Sequence, residues 1–215
     1  MKTLLTFGDS NTHGTLPILV EGEGKRLAYD QRWPGVAGAM LGDNWQVIEE
    51  GLPGRTTRHP DPEMGPHMDG VVGLFIALQS HGPIDFLTIM LGTNDLKGQF
   101  DRTPQDIAQD VGMLLDIAIS DEMQDRHDVF EVLLICPPTI LEQGVIADKF
   151  IGGRDKSVLL SNLYQEQADA RGIDFLDAGS VIESSPIDGI HFDGGQHLKL
   201  GRAVAEVLRD MANDN

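Results

Sequence analysis

Gly8-Asp9-Ser10 stands directly after a short apolar run, Thr3–Phe7, and offers the first candidate for chemistry in the chain. A serine at the carboxyl end of a buried strand, preceded by glycine, can turn its hydroxyl out of the sheet. The same turn aims backbone N–H groups at an incoming carbonyl. Such a hydroxyl is a weak nucleophile until a base takes its proton, and the base needs a third group to orient it. Asp188-Gly189-Ile190-His191 supplies that pair. Three residues make one tight turn, so the carboxylate can accept from one imidazole nitrogen while the other faces a serine. Gly92-Thr93-Asn94-Asp95 and Gly51-Leu52-Pro53-Gly54-Arg55 follow two further apolar runs. Asn94 carries an amide donor suited to a developing oxyanion, and a glycine in the other loop lets a backbone N–H approach without a Cβ in the way.

Taken singly, each segment is also an ordinary turn, since Gly, Asp, Asn and Ser favour turns. Their order at successive strand exits is what points to acyl transfer. Other chemistries fit less well. His191 and His197 are six apart, which does not place both on one helix face, and no His-x-x-x-His or Cys-x-x-Cys pair exists to hold zinc. His197 falls inside a helical segment and reads as a packing residue. His13, His59, His67, His81 and His127 read mostly as surface residues. Cys136, the only cysteine, ends an apolar strand before Pro137-Pro138 and reads as a small buried hydrophobe. Glu49 and Glu50 are neighbours on a strand, so they point to opposite faces and cannot act as a carboxylate pair. Arg55 and Arg58 are their expected partners.

The groups so singled out need a frame. Short runs at Thr3–Phe7, Gln46–Glu49, Phe86–Leu91, Phe130–Cys136 and Asp174–Leu176 read as buried strands. Helical spacing of apolar residues runs through Arg32–Leu41, Met68–Gln79, Thr103–Ile119, Lys156–Ala170 and Gly195–Met211. Thr103-Pro104-Gln105-Asp106 has the form of an N-cap with proline in the first turn. Strands alternating with helices predict an α/β three-layer sandwich around a five-stranded parallel sheet, flavodoxin-like in order. In such sheets ligands bind at the carboxyl ends of strands, which is where all four segments fall. Two long connections, Asn11–Gln31 and Pro137–Asp155, should wall that end. Leu16, Ile18, Ile140, Leu141, Val145, Ile146 and Phe150 are their candidate lining or subunit-contact residues.

Composition sets the limits. The 215 residues carry 34 acidic and 16 basic side chains, for a net charge of −18. Nucleic acid and anionic membranes are therefore unexpected partners, because binding polyanions draws on clustered Lys and Arg. The same charge favours neutral or cationic substrates over anionic ones. Length and an apolar content of 40% suit a single domain, 1–215, with its own core. One cysteine rules out an internal disulfide framework. No apolar run approaches a membrane span, and the N-terminus does not read as a signal peptide, so the cytoplasm is the expected location.

The four ordered segments, Gly8-Asp9-Ser10, Gly54, Gly92-Thr93-Asn94-Asp95 and Asp188-Gly189-Ile190-His191, resemble the four blocks of the SGNH (GDSL-like) hydrolase superfamily over nearly the whole chain. The resemblance implies a serine esterase with Ser10 as nucleophile, His191 as general base and acid, and Asp188 as its orienter. It also implies an oxyanion hole from the Ser10 N–H, the Gly54 N–H and the Asn94 side chain. No metal or organic cofactor is required. Val47–Thr57, Ile89–Lys97, Asp177–Val181 and Asp188–Phe192 are similar to the arylesterase/acyltransferase subgroup. That likeness implies small acyl or aryl esters as substrates, water or an alcohol as acceptor, and a homo-oligomer, often an octamer. Acetylated sugars, lysophospholipids and thioesters are the alternative substrates within the family. A non-catalytic ester- or carbohydrate-binding module is the alternative outside it. The sequence departs from the subgroup at Asn11-Thr12-His13-Gly14, where a bulkier apolar residue is usual near the nucleophile.

Overall fold

Apolar residues that alternate along a strand can face two different helical layers, and this chain uses that alternation throughout. The structure, a computed structural model, describes residues 1–213. Its strands are β1 (Lys2–Gly8), β2 (Trp45–Gly51), β3 (Phe86–Met90), β4 (Glu131–Cys136) and β5 (Asp174–Asp177). They form one parallel sheet in the order β2-β1-β3-β4-β5. Leu5, Phe7, Leu87, Ile89 and Leu134 face one layer, and Leu4, Phe86, Met90, Leu133 and Ile135 face the other.

Parallel pairing requires crossovers, and helices supply them: α1 (Ser10–His13), α2 (Trp33–Leu41), α3 (Gly70–Ser80), α4 (Pro104–Ala118), α5 (Asp121–His127), α6 (Gly153–Ser157) and α7 (Leu160–Asp169); α8 (Gly194–Asn213) follows the last strand. Helices α3, α4 and α7 cover the first face through Leu74, Val111, Leu115 and Tyr164. Helices α2 and α8 cover the second through Trp33, Ala37, Val204 and Leu208. The last two approach closely at Gly201, where a Cβ would stand 2.7 Å from Val36 side-chain carbons. The three-layer architecture and the strand order agree with the expectation. In this order the sheet reverses direction between β1 and β3, so the crevice at their carboxyl ends is the topological switch point.

Strand bounds differ from the predicted ones by one or two residues. Larger differences lie in the helices. The helix expected at Lys156–Ala170 is divided: α6 ends at Ser157, whose Oγ donates to Arg154 O (2.7 Å) and accepts from Ile140 N (3.2 Å), docking the break onto the segment after β4. Helix α5 was not expected, because DEMQDRH lacks apolar periodicity; its start is capped by Ser120 Oγ, which accepts from Met123 N. Thr103 and Asp106 form the reciprocal capping box at α4. Among the described residues, no helix is long and apolar enough to cross a membrane.

Candidate active site

The turn after β1 begins with Gly8, where a Cβ would collide with Thr12 Oγ1 and Met90 O. Only glycine lets the chain turn this tightly into α1. Asp9 caps that turn, its Oδ1 accepting from Asn11 N at 2.9 Å, and Gly14 closes it in the left-handed conformation. Ser10 therefore stands at the first position of α1, buried but for a 7% exposed surface in the cavity.

His191 meets it from the other end of the chain. Its Nε2 lies 3.0 Å from Ser10 Oγ, and its Nδ1 lies 2.6 Å from Asp188 Oδ2. The arrangement fits an imidazole that donates from Nδ1 to the carboxylate and accepts at Nε2 from the hydroxyl. Asp188 is held by more than this bond. Its Oδ1 accepts from the N–H groups of Ile190 and His191 (3.0 Å each), and its Oδ2 from Ile18 N at 2.7 Å. Burial pushes the carboxyl up, but the hydrogen bond and charge of His191 with these N–H donors outweigh it and bring the pKa down to about 2. Gly189 makes the turn with φ +74°, close under Leu141 O, where no Cβ fits. Asn11 adds a tie across the site, donating from Nδ2 to Ile190 O at 3.2 Å. The departure at position 11 thus has a structural role that the sequence did not disclose.

The two loops with candidate oxyanion donors are tied to each other. Asp95 accepts from Thr57 N (3.0 and 3.1 Å) and from Thr57 Oγ1 (2.5 Å). Asn94 Nδ2 donates to Arg55 O at 3.0 Å and approaches Asp9 Oδ2 at 3.4 Å. Gly54, with φ +90°, packs beneath Met64 and Met68; a Cβ there would stand 2.5 Å from the Met64 sulfur. Among the described residues, neither the Ser10 N–H nor the Gly54 N–H donates to a protein acceptor. Both residues and Asn94 border one cavity of about 460 Å³, together with His191. Every predicted site residue is therefore in one place.

Burial raises the pKa of Asp9 to about 6, against the lowering influence of the Asn11 N–H and of His191. Burial likewise raises Asp95. It lowers Arg55 to about 10; this guanidinium donates to Gly8 O and Glu50 O and stacks 4.1 Å over Phe7. Glu49 and Glu50 do point apart. Glu50 pairs with Arg55 and His81, as half expected, whereas Glu49 is held by both arms of the buried Arg32 at 2.5 Å. Arg58 instead faces Asp110.

Among the other histidines, His197 packs in the core, with Nδ1 accepting from Trp33 N and burial lowering its pKa to about 4. His127 is a correction: it is buried, bridging Ile84 N and Leu78 O, because unforeseen α5 carries it inward. His13 borders the cavity and bonds Thr15 Oγ1. Cys136 is buried, and desolvation pushes its thiol up, so it offers no nucleophile. Among the described residues no three His, Cys, Asp or Glu side chains converge as a metal site. Of the expected lining residues, Ile18, Ile146 and Phe150 face the cavity; Ile140 joins the core and Val145 faces solvent. The sequence reading missed Met64, Lys25, Arg26, Lys97 and Lys149, which also border it.

A doubly wound sheet that brings Ser10, His191 and Asp188 into contact at its switch point is the setting of a serine hydrolase. Residues 6–199 match the GDSL-like lipase/acylhydrolase family, and the chain belongs to it. Among solved structures, the chain is 37% identical to Est24, a carbohydrate acetylesterase from Sinorhizobium meliloti, with TM-score 0.93, covering 98% of this chain and 100% of that one. It is 38% identical to an aryl esterase from M. smegmatis, with TM-score 0.90, covering 98% and 99%. A carbohydrate acetylesterase family member from S. meliloti is 34% identical, with TM-score 0.86 over 98% and 99%. Comparison with curated proteins gave no match.

Proposed function

We propose that this esterase hydrolyses small acyl or aryl esters through an acyl-enzyme on Ser10, and transfers the acyl group to alcohols when they are present. The observation that carries this reading is the chain of contacts Ser10 Oγ–His191 Nε2–Asp188, at 3.0 and 2.6 Å. His191 Nε2 takes the hydroxyl proton as Oγ bonds to the ester carbonyl carbon. The oxyanion is met by the N–H groups of Ser10 and Gly54 and by the Asn94 amide, whose long 3.4 Å contact to Asp9 is the weaker of its two bonds and the one to yield. The C–O bond to the leaving group breaks, and the alkoxide departs with the His191 proton. Water or an alcohol then gives its proton to His191 and attacks the acyl carbon, and collapse returns the proton to Ser10. All groups come from the chain.

Hydrolysis of 4-nitrophenyl acetate by wild type and Ser10→Ala tests the reading. A loss of about a thousandfold or more is expected; equal rates would overturn it. Product analysis with ethanol present measures acyl transfer. Deacetylation of carbohydrate esters is a second reading, favoured by the polar His13–Thr15 pair (3.0 Å) beside Ser10. A panel of leaving groups at fixed acyl length separates the two. Exposed Leu19, Val20 and Ile151 support assembly with further copies of the chain, which sedimentation measures.

A further inference from the structure

The chain has about twice as many acidic as basic residues, yet its active-site cavity reverses that balance. Lys25, Arg26, Lys97 and Lys149 border it, against a single acidic residue, Glu23. Four of the 16 basic side chains thus gather at one cavity that takes one of the 34 acidic ones. They come from three separate segments. Lys25 and Arg26 lie on a short ribbon paired with 14–16, through Leu16 N to Lys25 O (2.8 Å) and Leu27 N to Gly14 O (2.8 Å). Lys97 follows Asn94 by three residues, and Lys149 lies in the 3-10 turn Ala147–Phe150.

Three of the cations have carboxylate neighbours that do not border the cavity. Lys97 faces the buried Asp61 at 3.4 Å, Lys149 faces Glu21 at 2.7 Å, and Arg26 lies 3.7 Å from Glu49 while donating to His13 O. Lys25 has no carboxylate partner among the described residues. The net charge of −18 acts across the whole surface and is screened beyond roughly 8 Å at physiological ionic strength. Lys97–Asp61 and Lys149–Glu21 each cancel as pairs, whereas Glu49 is shared by Arg26 and Arg32, so the uncompensated positive charge at this cavity sits on Lys25 and on the Arg26–Arg32 pair, against Glu23.

We propose that the enzyme selects esters carrying an anionic group, a carboxylate or its equivalent, a few bonds from the scissile carbonyl. This rests on the esterase reading above and replaces the preference for neutral or cationic esters that net charge alone suggests. Ester cleavage leaves the anion unreacted; the cations bind and orient it.

The test compares kcat/KM for two isosteric pairs. Mono-4-nitrophenyl glutarate against 4-nitrophenyl 5-methylhexanoate places the charge on the acyl side. 4-Acetoxybenzoate against 4-acetoxybenzamide places it on the leaving group. The readout is the anionic-to-neutral ratio in Lys25→Glu relative to wild type, which cancels the intrinsic reactivity of each ester. Lys25 is exposed, so the change does not threaten folding, and a thermal melt verifies this. A fall of about threefold to tenfold in either pair supports the proposal and names the side that carries the charge. An unchanged ratio in both pairs overturns it. If no ester is turned over faster than by Ser10→Ala, the esterase reading itself fails and takes the inference with it.

Discussion

Asp9 Oδ2 lies 3.4 Å from Asn94 Nδ2, so the residue before Ser10, the proposed nucleophile, touches the side chain proposed to receive the oxyanion. This buried carboxyl has its pKa raised from 3.8 to about 6, chiefly by desolvation. Its folded-state pKa exceeds the unfolded one, so its contribution to stability is present below pH 3.8 and is lost as pH rises through 6. Asp9→Asn, neutral at every pH, should therefore gain stability relative to wild type between pH 4 and 8, by about 3 kcal/mol in all. Urea unfolding at both pH values measures the gain. Its kcat should fall, because the amide no longer orients Asn94 as a carboxylate does.

Asp188 works in the opposite direction. With its pKa lowered to about 2, it contributes stability that is present above pH 3.8 and is lost as pH falls through 2. Asp188→Asn should cost about 2 kcal/mol at pH 7, shrinking toward zero near pH 2. It should also cut kcat by about a thousandfold or more, because the imidazole tautomer is no longer held. Parallel melts and ester assays read both effects.

Thr57 bonds Asp95 through both N–H and Oγ1, joining the loops that carry Gly54 and Asn94. Thr57→Val keeps the shape but leaves the buried carboxylate with the backbone donor only. A loss of about 2 kcal/mol in stability is expected, with a fall in kcat larger than any rise in KM. Steady-state kinetics separates the two.

Gly92 has φ +115°, and a Cβ there would stand 2.1 Å from Tyr164 Oη, which donates to Leu91 O at 3.0 Å. Gly92→Ala should cost about 3 kcal/mol or more. Adding Tyr164→Phe removes the colliding atom, so the double variant should be less destabilised than the two single effects summed. A double-mutant cycle by urea unfolding reads the coupling.

Short continuous apolar runs marked β1, β3 and β4 because their residues are buried on both faces, and helical spacing of apolar residues marked α2, α3, α4 and α8, which bury one face. The four segments proposed to form the site were legible because acyl transfer demands particular residue types at strand exits. Helix α5 was not, since its polar residues hold it through capping rather than an apolar stripe. Nor was the role of Asn11 or of Asp9, whose contacts reach residues 85 and 179 positions away.

By itself, the sequence determined the layer architecture and the kinds of group available for chemistry, because both are written in local pattern. Which groups meet was decided by the tertiary structure alone. Ser10 and His191 lie 181 positions apart and come within 3.0 Å only because parallel pairing brings every strand exit to one edge of the sheet. The same folding drew four scattered cations around one cavity in an acidic chain. A sum over composition cannot anticipate that, since a local field depends on positions and not on totals.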